Sequence, residues 1–309
     1  MIENNFNKID AIAIMFLRDI SAFLTRINYT VLPRSPYSRA VSETMLDLYS
    51  KNSPTHLGRV DLFHKILGDW YAAGTSYWIM GFEKNKRQWL SVDPLNIHET
   101  DDGNFCCLSQ AKNSLLFYSQ KEIIKIPWSA ICKVPLRNIL HEVFAIAVAE
   151  NFKVDRINTA HQSIQNLAES IFFKFCRENP ISNADVEIVI QEILAMKEKK
   201  MLFSATGENF KDDNQRNENQ KIILSQEWIS SLVMFTLTQC ISYSAPFILS
   251  QGISDKVEKQ LRSSRTTKNI LPFLAAISES VNVLISKDIS HPLYCSHTYF
   301  AFGGKNAAP

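Results

Sequence analysis

The chain has 309 residues, 46% of them hydrophobic and 21% charged, with 33 basic residues against 31 acidic for a net charge of +2. That length supports one large domain or two modest ones, and the composition is that of an ordinary soluble globular protein. The near balance of charge excludes a uniformly basic nucleic-acid coat, yet leaves room for a local basic patch, because electrostatic binding depends on clustered Lys and Arg rather than on net charge.

Residues 9–24 read as an amphipathic helix. Arg18 and Asp19 interrupt its apolar run, so it is not a membrane span. Glu3, Lys8 and Asp10 stand where a secretory signal needs a basic start and an apolar stretch, so a soluble protein, intracellular when made, is expected. A short strand at 27–31 follows, closed by Pro33 and Pro36, then helices around 41–50 and 59–73, the latter ending at Gly74. The texture then turns to β. Residues 77–82, a turn at 83–86 and residues 88–92 form a predicted hairpin stopped by Asp93-Pro94. Asp102-Gly103 marks the turn of a second hairpin, and residues 122–127 another strand.

A long helix is predicted from 136 to 167, with no Gly or Pro inside it. Leu136, Leu140, Val143, Ala147, Val154, Ile157, Ile164 and Ala168 keep a three-four spacing and so share one stripe. At ~1.5 Å per residue such a rod is on the order of 45 Å long, and its stripe needs a partner surface. An α/β insertion follows: a strand at 171–175, a helix through 186–194 opened by Ser182 and Asp185, a strand at 201–205 and a polar loop at 212–220. A second long helix spans about 225–244, apolar on most of its circumference (Trp228, Leu232, Val233, Phe235, Leu237, Ile241) and broken at Pro246. A helix carrying Ile270, Leu274, Ile277, Val281 and Leu284 and a strand at 298–302 complete the order, a mixed α+β arrangement.

Catalytic signatures are scarce. There is no GxxxxGK[ST], GxGxxG, GxSxG or HExxH motif, and Gly303-Gly304-Lys305 lacks the residue and helix that would make a phosphate cradle. The cysteines at 106, 107, 132, 176, 240 and 295 form no CxxC and read as free thiols. The histidines have no metal-ligand spacing, and Asp101-Asp102-Gly103 is explained by a hairpin turn. No catalytic residue, cofactor or metal is therefore expected. Lys256, Lys259, Arg262, Arg265 and Lys268 recur at every third residue or so, which on a helix spreads them into a band. The band is either a solvated face or a collar facing phosphates or an acidic neighbour. Lys121, Lys125, Lys133 and Arg137 form a second cluster, read as solvated; Trp78, Trp89 and Trp128 read as strand and core aromatics.

Several phrases, in order, resemble the portal proteins of tailed bacteriophages and prophages. Leu67-Gly-Asp-Trp-Tyr-Ala-Ala-Gly-Thr-Ser-Tyr-Trp-Ile79 followed by Trp89-Leu-Ser-Val-Asp-Pro94 is similar to that family's helix into a Gly-containing strand and a hairpin ending in asp-pro. Glu122-Ile-Ile-Lys-Ile126 is similar to the strand before its first stem helix. Ser244-Ala-Pro-Phe-Ile-Leu249 with Gly252 is similar to the phrase closing its second stem helix, and Ile270-Leu-Pro-Phe-Leu274 to a later helix start. Ala245 and Phe247 depart from the family's residues, and the chain is short for it, which implies a trimmed crown and a small clip.

The resemblance implies a homo-oligomeric ring, a dodecamer, at a capsid vertex of a virion assembled in the host cytoplasm. The ring would pass double-stranded DNA and meet the large terminase, the major capsid protein and a head–tail adaptor, with no membrane contact. Carried onto this chain, 1–135 is the wing, 136–167 the first stem helix, 168–223 the clip, 224–252 the second stem helix and 253–309 the C-terminal wing or crown. Lys256, Lys259, Arg262, Arg265 and Lys268 are then candidates for the channel. Val143, Ala147, Val154, Ile157, Ile164, Trp228, Leu232 and Phe235 are candidates for packing between subunits, with Pro246 as the helix break. Two alternatives stay open: another head or head-completion component, and a cytosolic enzyme with an unrecognised polar site.

Overall fold

The first helix is set by its apolar spacing. In the computed structural model α1 runs Ile2–Arg26, and Ile9, Ala13, Leu17, Ile20 and Leu24, at steps of three and four, are all buried. Arg18 and Asp19 fall on its exposed side. The structure describes residues 2–27, 29–33, 55, 57–83, 86–109, 114–129, 131–149, 157–178, 226–244, 270–286 and 298–302. The expected helix at 41–50 and the helix and strand expected at 186–194 and 201–205 lie outside them.

β1 (Tyr29–Pro33) pairs antiparallel with β8 (Thr298–Phe302), from Tyr29 opposite Phe302 to Pro33 opposite Thr298. The two strands expected at opposite ends of the sequence thus close one ribbon. α2 (Arg59–Ala73) packs on α1, and Ser21 Oγ donates to the Val60 carbonyl at 3.1 Å.

Gly74 ends α2 at φ 78°, and its N–H donates to the Trp70 carbonyl at 3.1 Å. A side chain there would be strained, and a Cβ would sit 2.6 Å from the Lys133 carbonyl oxygen. The chain can therefore turn directly into β2 (Thr75–Glu83), which pairs with β3 (Lys86–Val92) as a hairpin and, on its other edge, with β7 (Ile123–Pro127).

A second three-stranded sheet holds β4 (Ile97–Glu99), β5 (Phe105–Ser109) and β6 (Ser114–Tyr118) in that order. Gly103, at φ 78°, supplies the turn that Asp102-Gly103 predicts. Strand β6 has no counterpart in the sequence reading. The sheets face each other across Val92, Ile97, Phe105 and Ile123, with the Tyr77 and Phe105 rings 6.3 Å apart.

Two expectations fail in the helical half. The single rod over 136–167 is instead described as α3 (Leu136–Ala149) and α4 (Ile157–Glu178), which pack on each other. Lys174 Nζ lies 2.7 Å from Glu142 Oε1, whereas a straight helix would hold positions 32 residues apart at about 48 Å. The chain folds back. The strand expected at 171–175 is part of α4: Ile164, Ala168, Phe172 and Cys176 are buried at helical spacing, and that period prevails over the β-like run Ile171-Phe-Phe-Lys-Phe175.

α5 (Gln226–Ser244) matches its expected span and burial, with Trp228, Leu232, Val233, Leu237 and Ile241 all within 3% of full burial. α6 (Leu271–Ser286) buries Leu274, Ile277, Val281 and Leu284 as the spacing predicts. The described residues are thus of mixed α+β class, with a helical bundle, a two-stranded ribbon and two three-stranded sheets.

Candidate functional site: a bonded helix–sheet corner and the bundle behind it

Where α2 turns into β2, three distant stretches are joined by hydrogen bonds. Trp70 Nε1, fully buried, donates to the Ile126 carbonyl at 2.9 Å, tying α2 to β7. The Trp128 N–H donates to the Gly74 carbonyl at 3.2 Å, and Trp128 Nε1 to the Val134 carbonyl at 2.8 Å. Lys65 Nζ reaches the Val92 carbonyl at 3.3 Å, just before the Asp93 cap whose carboxylate accepts from the Leu95 N–H at 3.0 Å. Leu67–Ile79 meets Glu122–Ile126 through the Trp70 bond and the β2–β7 pairing, and meets Trp89–Pro94 through the β2–β3 pairing.

Asp69 sits under this corner. Its carboxylate takes Lys65 Nζ at 2.5 Å and Ser76 Oγ at 2.7 Å, and Ser76 Oγ accepts in turn from Trp78 Nε1 at 3.0 Å. Burial pushes the Asp69 carboxyl above the usual carboxylate range, and the Lys65 ammonium offsets only part of that. A buried carboxylate with both oxygens bound acts as a tie between helix and sheet.

A second polar cluster joins the helices. Asp10 Oδ1 accepts from the Tyr71 hydroxyl at 2.6 Å and lies 2.6 Å from His141 Nε2, while Oδ2 takes Arg137 at 2.5 Å. Burial alone would raise the Asp10 carboxyl; the donors Tyr71, Arg137 and His141 outweigh it and hold the group below its ordinary value. Burial and the Asp10 charge together push the Tyr71 phenol up. Phe6 stacks on His141 with ring centroids 4.5 Å apart.

The candidate site residues divide sharply. Lys256, Lys259, Arg262, Arg265, Lys268, Val154 and Pro246 lie outside the described residues, as does the side chain of Ile157. Val143, Ala147, Ile164, Trp228 and Leu232 are at most 3% exposed within the single chain, and Phe235 packs against the same core. Their apolar faces are filled from inside. Phe144 packs on Trp228 at 6.1 Å and Trp128 on Phe172 at 5.8 Å.

The second basic cluster is also divided. Arg137 is committed to Asp10 and Lys125 to Glu99 at 2.8 Å, with the Lys125 ammonium 4.6 Å from the centre of the Phe105 ring; Lys121 and Lys133 are exposed. Trp78, Trp89 and Trp128 are buried, as strand and core aromatics should be. Cys106, Cys107, Cys132, Cys176 and Cys240 are free thiols. Among the described residues no cluster could hold a metal ion and no helix is long and apolar enough to cross a membrane.

The sequence reading missed the Asp10 cluster. Asp10 lies 61, 127 and 131 residues from its three partners, and nothing local in the sequence marks a pairing between helices.

No family model matches the chain and no curated protein matches it. Similar solved structures include two gene transfer agent assemblies. One is the neck of an empty gene transfer agent particle computed with C6 symmetry, at 10% identity and a TM-score of 0.41, covering 95% of this chain and 80% of the other. The second is the virion of a native gene transfer agent particle, at 12% identity and a TM-score of 0.38, covering 95% of this chain and 79% of the other.

Proposed function

We propose that the chain is a structural subunit of a tailed-phage-type virion, acting at the head–tail junction as a portal. In this role it is a ring-forming channel at one capsid vertex, through which double-stranded DNA is packaged and ejected. The large terminase would dock on it during loading, the major capsid protein would surround it, and a head–tail adaptor would follow. The proposal assigns it no catalytic step and no cofactor.

One observation carries the reading. Three of the five stretches that resemble the portal family, those within residues 67–126, form one unit: Trp70 Nε1 bonds the Ile126 carbonyl, and β2 pairs with β3 on one edge and β7 on the other. The contact between residues 76–79 and 123–126 is the long-range one, and it supports reading these stretches as one unit.

On this reading residues 1–135 form the wing, the segment between α4 and α5 the clip, and residues 253–309 the crown-side end. The basic band at 256–268 is assigned to the channel, where phosphate contacts carry no base information and let DNA slide. Lys259→Glu with Arg262→Glu should cut DNA packaging while rings still form; unchanged packaging would remove DNA from the assignment.

A second reading, another head-completion or connector component, is favoured by the filled apolar faces of α3 and α5, which leave no bare rod for a stem. Negative-stain imaging of the purified protein separates the two. Rings with a central hole support the portal, and discrete small particles support the alternative.

A further inference from the structure

Three thiols from separate elements converge in the core. Cys132 lies just ahead of α3, Cys176 on α4 and Cys240 on α5, and all three are 0% exposed. The thiols of Cys132 and Cys176 are in hydrogen-bonding contact, and Cys240 is near enough to interact electrostatically with both. Ring packing places the first two together independently. Trp128 stands four residues before Cys132 and Phe172 four before Cys176, and the two rings pack with centroids 5.8 Å apart. A step of four keeps Phe172 and Cys176 on one face of α4, so the face that meets Trp128 also carries Cys176.

Cys132 is held from its own side as well. Ser129 Oγ accepts from the N–H groups of Ile131 and Cys132 at 3.2 and 3.1 Å, and Trp128 Nε1 donates to the Val134 carbonyl at 2.8 Å. Both sulfurs are thus kept in contact by ordered backbone, and a bond between them costs little further conformational freedom. The three thiols do not make a metal site: among the described residues no cluster could hold a metal ion.

We infer that Cys132 and Cys176 form a redox latch, which a small peroxide closes into a disulfide fastening the stretch after β7 to α4. The inference is independent of the portal reading. One sulfur, as thiolate, attacks a peroxide oxygen and becomes a sulfenic acid while hydroxide leaves. The second thiol then attacks that sulfur, forming the S–S bond and releasing water. The two thiols are oxidised, the peroxide is reduced, and two waters are the net product. Burial shields both sulfurs from larger oxidants, so the step is slow and waits on local opening. The bond closes a loop of about 44 residues and so restricts the unfolded chain.

The test treats the full chain with hydrogen peroxide under native conditions. Cys106→Ser, Cys107→Ser and Cys295→Ser together leave only the three buried thiols. Free thiols are counted after acid quenching and denaturation, and non-reduced peptides are mapped by mass spectrometry. Melting is followed before and after, with and without a phosphine reductant.

The expected result is loss of two thiols, a peptide pair joined through Cys132 and Cys176, and a melting temperature raised by roughly 5 °C until the reductant is added. Cys240→Ala should leave all three unchanged. Three thiols surviving the treatment, a bond through Cys240, or sulfinic acid without a bond would each overturn the inference. A Cys132–Cys176 bond that does not raise the melting temperature overturns the latch as well. If the triple variant does not fold, the same peptide map and melting comparison on the parent chain decide, because the mass of the joined pair identifies Cys132 and Cys176.

Discussion

Asp10 and His141 are 131 residues apart in sequence, and Asp10 Oδ1 stands 2.6 Å from His141 Nε2. With Tyr71 and Arg137 on the same carboxylate, this one side chain binds α1 to both α2 and α3.

Replacing that carboxylate leaves three donors short of their acceptor. Asp10→Ala should cost about 2 kcal/mol at neutral pH, in the range for hydrogen bonds to a partly buried charged group. The pH dependence has a definite sign. The folded carboxyl titrates below its ordinary 3.8, so its contribution is present above that value and is lost as pH falls through the lower folded value. Urea unfolding at pH 7 and pH 3 should show the gap between parent and variant narrowing in acid.

Asp69 has the opposite sign. Burial lifts its folded carboxyl above 3.8, so the ionised form weakens the fold and stability from this group falls as pH rises through the window starting at 3.8. Asp69→Asn keeps the shape and removes that titration. Its stability relative to the parent should improve from pH 4 upward. Asp69→Ala strands Ser76 and Lys65 and should cost about 2 kcal/mol more than Asp69→Asn at neutral pH. Parallel denaturant series across pH check both.

Two glycines share φ 78° but not their surroundings. A Cβ on Gly74 meets the backbone carbonyl of Lys133 at 2.6 Å, while on Gly103 it meets only the end of the Gln120 side chain. Gly74→Ala should therefore cost about 3 kcal/mol or more, and Gly103→Ala about 1 kcal/mol. Differential scanning calorimetry should show a fall of roughly 5 °C for the first and under half of that for the second.

The fold-back of α3 on α4 predicts a cross-link. Glu142→Cys with Lys174→Cys should be joined by a short bismaleimide cross-linker, because native side chains that meet at 2.7 Å keep the two backbones within reach of such a bridge. A continuous rod would hold the pair about 48 Å apart and give none. Denaturing electrophoresis, with each single variant beside it, reads the outcome.

Much of this fold is legible locally. The end of α2 at Gly74, the first hairpin, the Asp93-Pro94 stop and the burial of α5 all follow from short-range signals: a left-handed cap, period-two alternation and an all-round apolar helix. What is not legible depends on distance. Ile171-Phe-Phe-Lys-Phe175 carries a strand's composition, and its helical state is decided by what Phe172 and Cys176 pack against. The unbroken stripe from Leu136 to Ala168 gives no sign that Lys174 returns to Glu142. Nor does the stripe say whether it meets its own chain or another, which is why Val143, Leu232 and their neighbours were expected at a subunit boundary and lie in the protomer's core. Exposed Leu115 and Phe117 went unremarked because a short apolar run gives no hint of which side stays bare.

The central proposal is that copies of the chain assemble into a ring with an open axis. Negative-stain imaging of the purified full chain tests it most directly. Rings with a central hole are the expected result; discrete small particles alone would contradict it.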